Sequence, residues 1–237
     1  MKALEATLVS YATQHLPALP NNYSWKFDPA VVHTDFGVTV TGVTWYDKTR
    51  ALKRGLSQVW ASRPNKRTAL ADYAVRIWGG VKRNAPTTID SYVQTVSQGD
   101  VPKTHKGIAS WSKVAAFSEP NEHAIFDARV SFSLNAIQLL SGGGQCWWFP
   151  HLAGQNKLLR ETWPVLRTRA EVQKWTAIES TQVYSTYIVL LKSVSRSLRK
   201  DIDDVEMLLF AKAEELARAV NAANSDVSNS GRPQATK

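Results

Sequence analysis

A mainly α-helical fold is predicted, on three observations. Apolar residues recur at spacings of 3 and 4 along most of the chain. The breaks between those runs carry Pro, Gly and Asn. Only one segment, FGVTVTGVTW at 36–45, alternates with the period of a strand, and Gly42 permits a turn within it, so one short β-hairpin is expected there.

The elements follow in order. Leu4, Leu8, Tyr11 and His15 place an amphipathic helix over 2–15, ended by the Pro17 and Pro20 region. After the 36–45 segment, helix period returns over 47–61 (Leu52, Leu56, Val59, Trp60), 67–79 (Leu70, Tyr73, Ala74, Ile77) and 87–97 (Ile89, Tyr92, Val93, Val96). A helix-like run at 107–117 precedes the proline-marked connection Ser118-Glu119-Pro120-Asn121. Another helix starts at Asp127, and SGGGQ at 141–145 ends it, since glycine takes the left-handed geometry of a C-terminal cap. An aromatic loop, CWWFPHLAGQN, comes next. Helices are then expected over 179–198 and 201–220, the latter opened by Asp201, Asp203 and Asp204. Residues 1–222 are expected to form one compact domain, and the polar stretch 223–237 to be disordered.

The net charge is +9 and the sequence pI about 9.7, which favours a polyanionic partner. Residues 51–100 carry eight Lys/Arg against three Asp/Glu, residues 151–200 nine against three, and residues 201–237 reverse the sign with four against seven. Nine tryptophans are interleaved with the basic segments, and indoles stack on nucleobases or wedge between them. The most apolar short run, YIVLL at 187–191, is broken by Lys192, short of the roughly 20 residues a membrane helix needs. Glu5 interrupts what would be the apolar core of a signal peptide. A soluble monomer in the cytoplasm, with no membrane partner, is therefore expected. The single cysteine, Cys146, excludes an internal disulfide and a Cys₄ cluster; His33, His105, His123 and His151 lack a ligand spacing, so neither metal nor cofactor is expected.

The chemistry concentrates in residues 104–137, THKGIASWSKVAAFSEPNEHAIFDARVSFSLNAI. A basic glycine turn (Lys106, Gly107, Ile108) leads to a helix carrying Lys113, then Pro120, the apolar Ala124-Ile125-Phe126, and Asp127 followed by Arg129-Val130 and Leu134. In this order the segment resembles the helix-hairpin-helix DNA glycosylase superfamily. It departs from the family's double-glycine turn at Ala109, and its lysine–aspartate spacing is about one helical turn shorter than in lyase-active members. The resemblance implies a helical bundle in two packed lobes without an iron–sulfur cluster. It also implies that duplex DNA carrying a damaged or modified base is bound and the base flipped out. Asp127 would then hydrolyse the N-glycosidic bond, leaving an abasic site, in repair or in phage defence through excision of modified cytosine. Lys113 would add a lyase step if it reaches C1′.

The residue chemistry suits those roles. Glycosidic cleavage builds positive charge on the sugar, which an ionised carboxylate stabilises. A glycine turn at a helix start offers N–H groups to a phosphate, with Lys106, Gly107, Ile108 and Arg129 as the expected DNA contacts. Base flipping needs aromatic walls and a plug, for which Trp111, Trp147, Trp148 and Phe149 are the candidates. Each feature has a structural alternative: Asp127 as a plain N-cap, Lys113 as a solvated lysine, the tryptophans as packing residues. A non-catalytic DNA-binding module of a restriction or defence system, or a helical protein-interaction domain, would display the same composition.

Overall fold

The computed structural model describes residues 1–142 and 144–230, the side chains of 226–230 excepted. In chain order the helices are α1 (Lys2–His15), α2 (Leu19–Asn22), α3 (Pro29–Phe36), α4 (Trp45–Ser62), α5 (Arg67–Asp72), α6 (Pro86–Ser97), α7 (Ile108–Ser118), α8 (Ala128–Ser141), α9 (Lys157–Val172), α10 (Val183–Leu198) and α11 (Ile202–Ser230). The mainly α fold is as predicted. The β element is two short strands, β1 (Trp147–Trp148) and β2 (Thr176–Ala177), paired parallel. No helix among the described residues is long and apolar enough to cross a membrane.

The hairpin expected at 36–45 does not form. Phe36 instead closes α3, a helix signalled locally by Asp28, whose side chain caps Ala30 N at 2.9 Å, by Pro29 at the first position and by left-handed Gly37 after the end. The alternation that follows is real, because Val38 and Val40 turn inward while Thr39 and Thr41 are exposed. What the segment lies against is helix α4 rather than a second strand. A Cβ at Gly55 would sit 2.3 Å from Val38 Cγ1, so glycine there admits the extended chain. Thr44 and Asp47 then start α4 as a reciprocal capping box.

Two further departures follow from packing. Periodicity assigns nothing to 157–172, where Pro164 argues against a helix at a cost of about 3 kcal/mol. Leu159, Trp163, Leu166 and Ala170 share one buried face and carry α9 through it. The segment after α5 winds into a π-turn over Tyr73–Trp78, with Gly79 N bonded to Ala74 O at 3.1 Å. The extra residue per turn buries Trp78 and leaves Ile77 58% exposed, although Ile77 belongs to the apolar face that the sequence pattern draws. Of the tail expected to be disordered, 223–230 continues α11 and 231–237 lies outside the described residues.

The main core draws on residues from Leu4 to Val220, and a second, smaller cluster joins Ala12, Leu19, Tyr23, Met207 and Leu208. At its centre is α8, buried on every side from Val130 to Gln138 and packed between α1, α9 and α11. Its polar residues are all used internally. Ser131 donates to Pro150 O (2.6 Å) and Ser133 to Leu209 O (2.6 Å). The Asn135 amide both donates to Phe149 O (2.9 Å) and accepts from Phe149 N (3.0 Å). Gln138 does the same with Trp147 O (2.9 Å) and Trp147 N (2.8 Å). These two amides act as a partner strand for β1.

Ion pairs join α4 to the start of α11. Arg50 holds Asp201, Asp203 (3.5 Å) and Asp204 (3.3 Å), which offsets part of the charge of this cluster of three carboxylates. Deeper, Lys53 pairs with Glu206, at 1% and 2% exposure. Burial pushes the Glu206 carboxyl up, against the pull of Lys53. Lys53→Met, which strands Glu206 in the core, is expected to lower the unfolding free energy by about 3–5 kcal/mol. The double variant Lys53→Met/Glu206→Leu is expected to recover most of that loss, as measured by urea unfolding.

Candidate active site at the start of α8

The three residues before Asp127 are buried and extended, so their backbone groups cannot reach water. Side chains take them instead. Tyr184 OH donates to Ala124 O (3.0 Å), Tyr187 OH donates to Ile125 O (2.8 Å), and Phe126 N donates to Ser112 Oγ (3.0 Å). Burial raises the pKa of both phenols, which keeps them protonated donors. Asp127 is thereby delivered at a fixed height above α8. Its Oδ1 accepts from Arg129 N (3.0 Å) and Val130 N (3.1 Å), the geometry of an N-cap. Its Oδ2 accepts no hydrogen bond from the described residues and is not sealed from solvent.

Lys113 lies in the same electrostatic field. It is 5% exposed, and its amine donates to Ala109 O at 2.7 Å. Burial pulls its pKa down, and the charges of Asp127 and Glu206 act in the opposite direction. The backbone of Gly79 crosses its aliphatic stem, where a Cβ would come within 2.7 Å of Lys113 Cδ. Lys113 is therefore a desolvated amine rather than a solvated helix lysine. It makes no ion pair with Asp127; the two share a field and not a bond.

Arg129 reaches across to α11. Its guanidinium bonds Glu214 (3.0 Å) and lies over the Phe210 ring at 4.9 Å. It lines a cleft of about 290 Å³ with Asn22, Trp25, Phe210, Glu214 and Arg218. Trp25 meets Phe210 edge-on at 5.4 Å and Trp78 at 5.7 Å. This cleft escapes sequence reasoning because its aromatic walls come from segments far apart in the chain.

The turn before α7 is tightly specified. Gly107 has φ +79°, and a Cβ there would meet Tyr92 Oη at 2.9 Å, so both backbone and space demand glycine. Lys106 is exposed, and its N–H bonds Thr104 Oγ1 (3.0 Å). Ile108 is buried and anchors the helix start, so its side chain offers nothing to a ligand. His105 ties the turn to Ser180 through Nδ1 at 2.9 Å from Oγ.

The aromatic candidates fall elsewhere. Trp111 is buried between Tyr184 (4.8 Å) and His123 (6.0 Å), and Phe149 is fully buried beside Phe126. Neither presents a face to a base, because core packing already covers both rings. Trp147 and Trp148 are half-buried in β1, with Trp148 against Trp163 (5.5 Å) and Trp175 (6.2 Å). The amides of Asn135 and Gln138 hold the β1 segment against α8.

The depressed pKa of Lys113 has a sign that can be measured. Between its folded value and the ordinary lysine value, the unfolded chain binds a proton that the folded chain does not. The contribution of Lys113 to stability therefore rises with pH across that window. Lys113→Met removes this slope, so the stability difference between the variant and the wild type is expected to shift steadily in urea unfolding as pH rises toward the ordinary lysine value of 10.5. Comparison with protein-family models, with characterised proteins and with solved structures returns no match to this chain.

Proposed function

We propose that this protein is a DNA glycosylase that hydrolyses the N-glycosidic bond of a modified or damaged base in duplex DNA. The observation that carries this reading is the state of Asp127. One oxygen is consumed by the α8 cap and the other is left open, beside a desolvated lysine. Oδ2 is the atom that faces C1′ of the sugar. There it stabilises the oxocarbenium-like charge as the base departs, or takes the proton of an attacking water.

The extruded base needs a recess with aromatic walls; Trp111 and Phe149 are buried in the core, and the recess we assign to the base is the cleft that Trp25 and Phe210 line with Arg129, two residues from Asp127. Hydrolysis leaves an abasic site, and the chain's own residues suffice for it without a cofactor. The buried amine of Lys113 is suited to displace the base at C1′, losing its proton, when that carbon comes within its reach; ring opening to the iminium ion then allows β-elimination of the 3′ phosphate, which nicks the strand. The net charge of +9 supports a polyanionic partner. Excision of modified cytosine from phage DNA and excision of a damaged host base both fit this chemistry.

A second reading has one observation in its favour: the cap by itself accounts for the position of Asp127. The protein would then be a DNA-binding module without catalysis. Asp127→Asn separates the two, because asparagine caps a helix about as well as aspartate and carries no charge. Duplexes bearing different base modifications are incubated with each protein, and abasic sites are revealed by hot alkali. The glycosylase reading expects Asp127→Asn to lose at least about 10²-fold in base release with DNA affinity retained. Failure of the wild type to release any base across the panel would refute it. Asp127→Ala is expected to cost a further ~1 kcal/mol of stability through the lost cap.

A further inference from the structure

The π-turn and the loop behind it bring together features that the capped aspartate does not explain. Ile77 projects from the π-turn at 58% exposure while its neighbours Val75 and Trp78 are buried. The chain then crosses Lys113 at Gly79, turns through left-handed Gly80, and continues as Val81-Lys82-Arg83-Asn84. Asn84 Nδ2 donates to Ser110 Oγ at 2.9 Å, which fastens this loop to the first turn of α7. Arg76 holds the same loop through the Asn84 carbonyl, and is itself paired with Asp72 at 2.8 Å. The loop before α7 carries Lys103 and Lys106 on the other side of that turn.

Lys82, Arg83, Lys103 and Lys106 are all exposed, and none of them is in an ion pair among the described residues. No acidic residue occurs between Asp72 and Asp90, or between Asp100 and Glu119. Two acid-free basic loops therefore flank the α7 start, with an exposed aliphatic side chain beside them. π-turns within helices are frequent at functional sites, and this one costs the core an isoleucine.

We propose that the 77–84 and 103–107 loops form one clamp on the backbone of duplex DNA, with Ile77 as the wedge that enters the base stack. The choice of duplex DNA, and with it the wedge role, rests on the glycosylase reading; the charge pattern and the exposure of Ile77 do not. Lys82, Arg83, Lys103 and Lys106 neutralise phosphates on both sides of the Lys113 position. An aliphatic side chain at that point unstacks a base step and fills the vacated space, as apolar wedges do in kinked DNA.

The test uses the full chain in the Asp127→Asn background, so that no base is released during binding. The probe is a duplex with 2-aminopurine in its centre, whose fluorescence rises on unstacking, titrated over a range of NaCl concentrations. Lys82→Ala/Arg83→Ala is expected to weaken binding and to reduce the slope of log K against log salt by about 2. Arg160→Ala, a control at an exposed cation on α9, is expected to leave the slope unchanged. Ile77→Ala is expected to keep duplex affinity and lose most of the fluorescence rise. An unchanged slope in the double variant overturns the clamp, and an unchanged fluorescence rise in Ile77→Ala overturns the wedge. Anionic lipid vesicles that compete as well as DNA would also overturn the assignment to duplex. If the slope falls while the wild type releases no base from any substrate, the catalytic reading fails and the surface stands. The converse result removes the surface alone.

Discussion

The burial of α8 on all sides is the constraint from which the rest of the structure follows. A helix with no wet face cannot leave a polar group to solvent, so each one must find a protein partner. Ser131, Ser133, Asn135 and Gln138 do this by reaching the backbone of the surrounding segments. Those bonds fix where β1, the 149–150 segment and α11 can lie. The same rule acts at the helix start, where the amides of Arg129 and Val130 need an acceptor and Asp127 provides it. The apolar triplet ahead of Asp127 is buried for packing, and Tyr184, Tyr187 and Ser112 answer its backbone groups. The aspartate is thus located by the surrounding bonds before any chemistry is asked of it.

A structural role and a chemical role are compatible in Asp127 because a carboxylate has two oxygens. One satisfies the cap and the other stays open. Lys113 reaches the same region by another route. A lysine stem is long enough to bury four methylenes and still place its amine on a helix carbonyl, and the burial removes the water that normally holds the charge. The Lys53–Glu206 pair adds a second buried charge system within reach, so Asp127, Lys113 and Glu206 influence one another across a poorly screened interior. Such networks rigidify a site when complete and destabilise it when one member is lost.

The exposed face shows the opposite economy. Where the chain passes over Lys113, the helix gives up regular geometry and an isoleucine that its own pattern would bury. Gly79 and Gly107 are fixed there by close approach, to Lys113 and to Tyr92 respectively. Local rules of sequence are broken at the segment that crosses the buried amine, as they are at Pro164 within α9.

Most of the helices were legible because their signals are local: periodicity for α1, α4, α6, α7 and α10, and glycine after Ser141 for the end of α8. Asp127 as the start of α8, and its order after Gly107 and Lys113, were legible for the same reason. The alternation at 36–45 correctly marked an extended chain, but whether it meets a strand or a helix depends on Gly55, a residue on another element. The inward turn of Trp78 in place of Ile77, the desolvation of Lys113 and the cleft between Trp25 and Phe210 are likewise products of packing between distant segments. Sequence by itself determined where most of the helices begin and end, because propensity and capping act within a few residues. Tertiary structure alone decided which side chains lose their water, because burial is set by neighbours that the chain brings from far away.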